Sequence, residues 1–403
     1  CKCRCQAEGG FAGMSEGAPP FGPEYGFGIY IHWPYCAKVC PYCDFNVYAA
    51  KDRDPTSLLE AIKKDLQIHR PRLPEHGRAG SLYFGGGTPS LLKPTEIAGL
   101  VRAAEESFGL EADAEITLEA NPNDILRMDL QGVKAAGVNR LSLGVQSLRD
   151  DALAFLGRDH HGSAARIAMS RALDVFPNTS VDLIYARPGQ LAEEWQSELS
   201  DVLAFGAPHI SLYELTIEER TAFGKAAARG ELLPMEDDDQ ADLYELTQEI
   251  LTSAGLPGYE VSNHARAEEF RSRHNMTYWN GGDWIGVGPG AHGRLSVGGN
   301  RYASEAERRP EAYIANVQAL ASGWSDASKL YPLDNARELL AMGLRSEMGI
   351  DRTRIETVSG RALPQNKIDV FVEEGWMREE GARIALTPKG RLLADALTAE
   401  LSP

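Results

Sequence analysis

The sequence predicts an α/β protein, a partial (β/α)6 barrel followed by a smaller, mostly helical, winged-helix-like C-terminal domain. Three observations carry this. Between residues 26 and 215, short runs rich in apolar, β-branched and aromatic residues alternate with amphipathic helical text, a pattern that implies right-handed parallel crossovers. The count of six strands fits a barrel that does not close, since a full one needs eight. Beyond Glu218 the alternation stops, and 331–403 reads as helices ending in the strand, turn and helix text MREEGARIALTPKGRLLADAL.

Each element has its reason. The first strand, 26–33 (GFGIYIHW), is apolar and aromatic, and a cysteine-bearing loop follows it. A helix over 56–70 places Leu58, Leu59, Ile62 and Leu66 on one face. Strand two is 81–86. The helix 94–108 has Thr95 as its start signal and Gly109 as its stop. Strand three (115–120), a helix (124–136), strand four (138–147), a helix (163–175), strand five (180–186), a helix (192–205) and strand six (209–215) complete the alternation. An acidic run at 236–239 opens a helical stretch to residue 254, as acids at a helix N-terminus do. The segment 259–299 is Gly-rich. The expected division is a flexible tail (1–24), a core barrel (25–220), a barrel-covering extension (221–330) and the C-terminal domain (331–403).

Composition narrows the function classes. The chain has 403 residues, 43% hydrophobic, and a net charge of −17, which argues against a phosphate-tracking surface and hence a nucleic-acid partner. No run of 18 apolar residues and no charged-then-apolar leader is found, so a cytoplasmic protein is expected. The winged-helix-like text lacks a Lys/Arg-rich recognition face and is read as a lid or docking module. The six cysteines fall into two groups, Cys1, Cys3, Cys5 and Cys36, Cys40, Cys43, which is no disulfide framework. The first group lies in a Gly-rich stretch before Met14, expected to be a flexible extension and assigned no function.

The chemistry centres on Cys36, Cys40 and Cys43, spaced CxxxCxxC. Three thiolates this close can hold three corners of a [4Fe-4S] cluster and leave one iron open. A zinc site wants four ligands grouped as pairs, and a redox CxxC would use only Cys40 and Cys43, so neither accounts for the first cysteine. The spacing resembles the signature of the radical S-adenosylmethionine (SAM) superfamily. The resemblance implies that the open iron chelates the amino and carboxylate groups of SAM, and that an electron arriving through the cluster breaks the sulfonium bond to give a deoxyadenosyl radical.

Gly85-Gly86-Gly87-Thr88-Pro89, just after strand two, lets the backbone approach a ligand, and the resemblance implies that Gly86, Gly87 and Thr88 contact SAM. Glu119, Gln146 with Arg158 just beyond, and Asp182 stand at later strand ends, where they supply acceptors and a cation for a ligand carrying a ribose, an ammonium and a carboxylate. In the resemblance to oxygen-independent coproporphyrinogen III oxidase and its relatives, these positions and Tyr30 contact SAM. All candidate sites are expected on the loops after the C-terminal strand ends.

A later stretch narrows the family. Arg273-His274-Asn275-Met276-Thr277-Tyr278-Trp279-Asn280, with GVGPGAHG at 286–293, resembles the HNxxYW motif and Gly-rich run of the haem chaperone HemW family. An imidazole beside large aromatic surfaces suits a flat macrocycle, so His274, Tyr278 and Trp279 are candidate haem contacts, with His292 a weaker ligand candidate. The oxidase branch carries a fourth cysteine, CxxxCxxCxC, where this chain has Phe45. The resemblance therefore implies a protein that binds haem as cargo and hands it to an acceptor apo-haemoprotein such as a respiratory-chain component. A flavodoxin- or ferredoxin-type electron donor and a homodimer are the further implied partners. The alternatives are an oxygen-independent coproporphyrinogen III oxidase and a radical haem-degrading methyltransferase. Where relatives read GLPGQT after strand five, this chain reads ARPGQL, so Arg187 either meets a carboxylate or faces solvent.

Overall fold

The computed structural model describes residues 20–51, 55–319 and 322–403. The six expected strands are present as β1 (Phe27–Trp33), β2 (Ala79–Gly86), β3 (Leu110–Ala120), β4 (Arg140–Gln146), β5 (Thr179–Tyr185) and β6 (His209–Glu214). They pair in chain order, each parallel to the next. β5 is buried along its whole length, as a strand covered on both faces must be. The helices Pro55–His69, Pro94–Phe108, Gly162–Val175 and Ala192–Leu203 bring Ile62, Leu100, Met169 and Trp195 into one hydrophobic core with these strands.

The sheet is wider than the sequence suggests. β7 (Asn263–Ala265) adds antiparallel to β6, while β8 (Asp283–Val287) lies parallel to β1 on its other side. β9 (His292–Val297), β10 (Asn300–Ala306) and β11 (Trp324–Lys329) continue antiparallel, giving eleven strands among the described residues. Glycine hid β8 and β9. A Cβ on Gly286 would lie 2.1 Å from the His292 carbonyl oxygen, so this glycine marks a close backbone approach inside the sheet rather than a loop.

Three local expectations need correction. The helix expected over 124–136 is two short ones, Pro122–Ile125 and Leu130–Ala135, the second capped by Asp129, which accepts the Gly132 N–H. Thr95 is not the start signal of Pro94–Phe108, where the Glu96 carboxylate instead accepts the Lys93 N–H at 2.7 Å. Phe21, assigned to a tail, is buried in the C-terminal core; residues 1–19, with Cys1, Cys3 and Cys5, lie outside the described residues.

That second core joins Leu340, Ile355, Ile368, Ile384 and Leu397 from the helices Pro332–Arg345, Arg352–Ser359, Gln365–Glu373 and Ala394–Leu401 and the hairpin Met377–Glu380/Arg383–Leu386. Ile350–Asp351 makes the hairpin a three-stranded sheet. The C-terminal unit docks where Arg391 donates to the Gly258 carbonyl (2.8 Å) and the Glu347 N–H to that of Tyr259 (2.9 Å). No described helix is long and apolar enough to cross a membrane.

Candidate functional site

The cysteine loop is tied at its neck. Tyr35–Cys36 pairs with Tyr48–Ala49, and between them the Cys43 N–H bonds the Cys40 carbonyl at 3.2 Å. The glycine turn after β2 clasps the same neck: Gly87 and Thr88 donate their N–H groups to the carbonyls of Trp33 (2.7 Å) and Tyr35 (2.9 Å). A Cβ on Gly87 would stand 2.8 Å from both carbonyl oxygens, so the clasp requires glycine.

Beneath the loop is a cavity of about 450 Å³, lined by Cys36, Cys40, Cys43, Gly86, Gly87, Thr88, Glu119, Gln146, Arg158 and Asp182. The structure thus gathers ten of the sequence-predicted site residues into one chamber. Arg158 donates to Cys40 Sγ (3.4 Å), to the Gly144 carbonyl (3.0 Å) and to Asn121 Oδ1, placing a cation against a sulfur. Burial pushes the Cys36 thiol up and the Cys43 thiol up to about 11. A metal replaces such protons directly, because thiolate is the ligating form. Among the described residues no three His, Cys, Asp or Glu side chains converge as ligands of a single ion. Three sulfurs around one chamber suit separate corners of a cluster better than one zinc.

The opposite wall is acidic. Glu119 accepts from Tyr83 Oη (3.0 Å) and the Gly86 N–H (3.1 Å); burial, aided by the charge of Asp182 and opposed by the tyrosine, lifts its carboxyl to about 7. Asp182 accepts from Ser142 Oγ (2.6 Å) and Ser180 Oγ (2.7 Å). Gln146 adopts φ 66 where the β4–β5 register slips, and its Oε1 is buried with no hydrogen-bond partner among the described residues. Strain plus an unsatisfied acceptor at a chamber wall marks a group built for a ligand.

Four expected residues lie elsewhere. Tyr30 sits behind the wall, its hydroxyl 3.1 Å from His32 Nδ1. His274, Tyr278 and Trp279 belong to the helix Arg273–Trp279, which does not follow a C-terminal strand end as expected. His274 meets the starts of β1 and β2: its Nδ1 is 2.8 Å from Ser81 Oγ, and a Cβ on Gly28 would touch its ring. Its Nε2 bonds Tyr278 Oη. Burial holds the ring neutral, down to about 3, so one nitrogen donates and the other accepts in these two hydrogen bonds. His292 is exposed at the head of β9.

The sequence reading missed Tyr83, Asn121, Ser142 and Tyr213, all of which line the chamber. Period-two alternation could have found Tyr83, which shares a strand face with Ser81 and Gly85. Of the two alternatives for Arg187, the carboxylate holds: its guanidinium is 3.3 Å from Glu198, both are buried, and it does not line the chamber.

A parallel partial barrel with three thiols at the end of its first strand, facing a glycine turn and strand-end acceptors, has the architecture of a radical SAM protein. The family model of the Radical SAM superfamily matches residues 30–202. The chain is 39% identical over 364 residues to the zebrafish (Danio rerio) mitochondrial radical S-adenosyl methionine domain-containing protein 1, covering 89% of this chain and 81% of that one. It is 34% identical over 388 residues to the heme chaperone HemW of Mycobacterium tuberculosis, covering 94% and 95%. The structure of Escherichia coli coproporphyrinogen III oxidase (HemN), at 21% identity, shares the fold with a TM-score of 0.77 over 94% of this chain and 90% of that one. The chain belongs to the HemW family of radical SAM proteins.

Proposed function

We propose that this protein is a haem chaperone that binds haem and passes it to an apo-haemoprotein, with a [4Fe-4S] cluster on Cys36, Cys40 and Cys43 and SAM in the chamber beneath. The observation that carries it is the gathering of three thiols, a cation and strand-end acceptors around one cavity of about 450 Å³. When bound, such a cluster with SAM at its open iron supplies one-electron cleavage of the sulfonium bond. The protein's own part is positioning. Arg158 donates to Cys40 Sγ and holds it in place, the Gly86–Thr88 turn lines the chamber beside the thiols, and Glu119, Gln146 and Asp182 offer acceptors to the ammonium and ribose of SAM.

The chaperone is favoured over the oxidase by Phe45, which stands where the oxidase branch has its fourth cysteine and is 63% exposed on the chamber rim. With Val39 and Tyr213, both also exposed on that rim, it offers a flat macrocycle an apolar seat. On this reading residues 25–220 hold the cofactors, 221–330 cover the barrel and 331–403 form a docking module for the acceptor. A flavodoxin- or ferredoxin-type protein supplies the electron in the cytoplasm, and two copies associate during transfer.

The test is anaerobic. The reconstituted protein with SAM and a reductant receives either haem or coproporphyrinogen III, and absorbance and product masses are followed. Stable haem binding, unchanged porphyrinogen and delivery to an apo-haemoprotein are expected. Conversion to protoporphyrinogen with deoxyadenosine released in step overturns the reading in favour of the oxidase.

A further inference from the structure

The helix Arg273–Trp279 is wired to the chamber from two sides. On one side, Tyr83 donates its hydroxyl to Glu119 at 3.0 Å while its ring stacks on His274 at 5.0 Å between centroids; His274 in turn is held by Ser81 and Tyr278. On the other side runs a chain of hydrogen bonds whose direction can be read from its ends. The Ser272 N–H donates to Tyr259 Oη (3.1 Å), and Ser272 is the residue that caps the helix, its Oγ accepting the Asn275 N–H. Ser180 spends its one proton on Asp182 Oδ1 (2.7 Å), so His209 Nδ1 donates to Ser180 Oγ (2.8 Å) and its Nε2 accepts the Tyr259 hydroxyl proton (2.9 Å). Every proton in this chain points toward the chamber carboxylate, and His209 is fully buried, so the ring has no water with which to trade partners.

We propose that the HNxxYW helix is a positioning element for the SAM chamber: Tyr83 and His274 orient Glu119, and Tyr259 with His209 orients Asp182, both anchored on the same helix turn. The motif then serves the cofactor and ligates no iron. The proposal rests on the reading of the chamber as the SAM site. Tyr259 also extends the wiring outward, since its carbonyl accepts the Glu347 N–H from the C-terminal unit and Arg271 pairs with Glu347. A shift of that unit on its acceptor would thus be felt at Asp182.

The test measures two affinities on the anaerobically reconstituted chain: SAM by equilibrium dialysis, and haem by titration with the Soret position recorded. Tyr83→Phe and Tyr259→Phe each delete one oxygen and keep the packing. Each is expected to weaken SAM binding about tenfold, the worth of a hydrogen bond to a charged group, with haem affinity and Soret position unchanged. His274→Leu is expected to do the same. His274→Gln, whose amide can serve both Ser81 and Tyr278, is expected to recover most of the loss, which a role in packing alone would not produce. SAM affinity unmoved in both phenylalanine variants, or a shifted Soret band in His274→Gln, overturns the proposal. A wild-type protein that carries its cluster but binds no SAM overturns the reading of the chamber itself, and the two failures are thereby distinct.

Discussion

Replacing Arg187 by Leu tests how this chain holds the end of β4. Glu198 is 3% exposed and accepts from Ser147 Oγ, from the Leu148 N–H at 2.6 Å and from Arg187 at 3.3 Å. Arg187 is 5% exposed and donates also to the Ile184 carbonyl at 2.6 Å. At that separation the attraction is roughly 5 kcal/mol for an effective dielectric near 20, and removing one partner of a buried pair costs about 3–5 kcal/mol because the other charge is stranded. Arg187→Leu is therefore expected to lose about 3 kcal/mol of stability in urea unfolding, since two donors to Glu198 remain. The double variant Arg187→Leu, Glu198→Met should recover most of that, as apolar replacements of buried pairs do. The cycle gives the coupling directly. A single variant within about 0.5 kcal/mol of wild type would refute the argument, because surface substitutions alone stay inside that range. Ser147 and Leu148 directly follow Gln146, so the same variant should also loosen ligand binding in the chamber.

Three further outcomes follow from the chamber's geometry. Glu119 keeps its proton in the folded protein to about pH 7 whereas an unfolded glutamate loses it near 4.3, so its contribution to stability falls as pH rises between those values and is flat above. Wild type should lose stability relative to Glu119→Gln between about pH 5 and about pH 7, and a difference that moves the other way would contradict the buried placement. Arg158→Lys keeps a charge but not the fork that reaches Cys40, Gly144 and Asn121 together, so iron and sulfide per chain after reconstitution should fall; full loading would show that the guanidinium is dispensable. Gly87→Ala drives a methyl against two backbone carbonyls and should cost about 1–3 kcal/mol in thermal or urea unfolding, with a neutral result ruling out the clasp.

Much of the site could be read because its signals are local. Three cysteines within eight positions and a glycine turn at the end of a strand are short-range patterns, and the strand-end rule placed Glu119 and Gln146 at the chamber, where Asp182 from the middle of β5 and Arg158 from a loop between helices join them. What could not be read depends on partners far apart in the chain. An imidazole among aromatics made His274 a ligand candidate, but its hydrogen bond to Ser81, 193 residues away, could not be read. β8 was hidden because its glycine, Gly286, serves close backbone approach, which a sequence cannot distinguish from a loop.

The interior of this barrel explains why such pairings matter. A closed eight-stranded barrel fills its centre with branched aliphatic side chains, and packing then fixes every rotamer. Here inward positions of the strands carry Tyr83, Ser142, Ser180, Asp182, His209 and Ser211, and hydrogen bonds join five of them in an unbroken run from Ser142 through Asp182, Ser180 and on to both Ser211 and His209. Buried polar groups are costly unless satisfied, so each member constrains the next, and one lost partner disturbs the network rather than one contact. The orientation of the chamber carboxylates is therefore set by hydrogen bonds instead of by packing. That gives two acceptors a fixed aim beneath the thiols, and it exposes the aim to substitutions such as Tyr259→Phe that change no volume of the core.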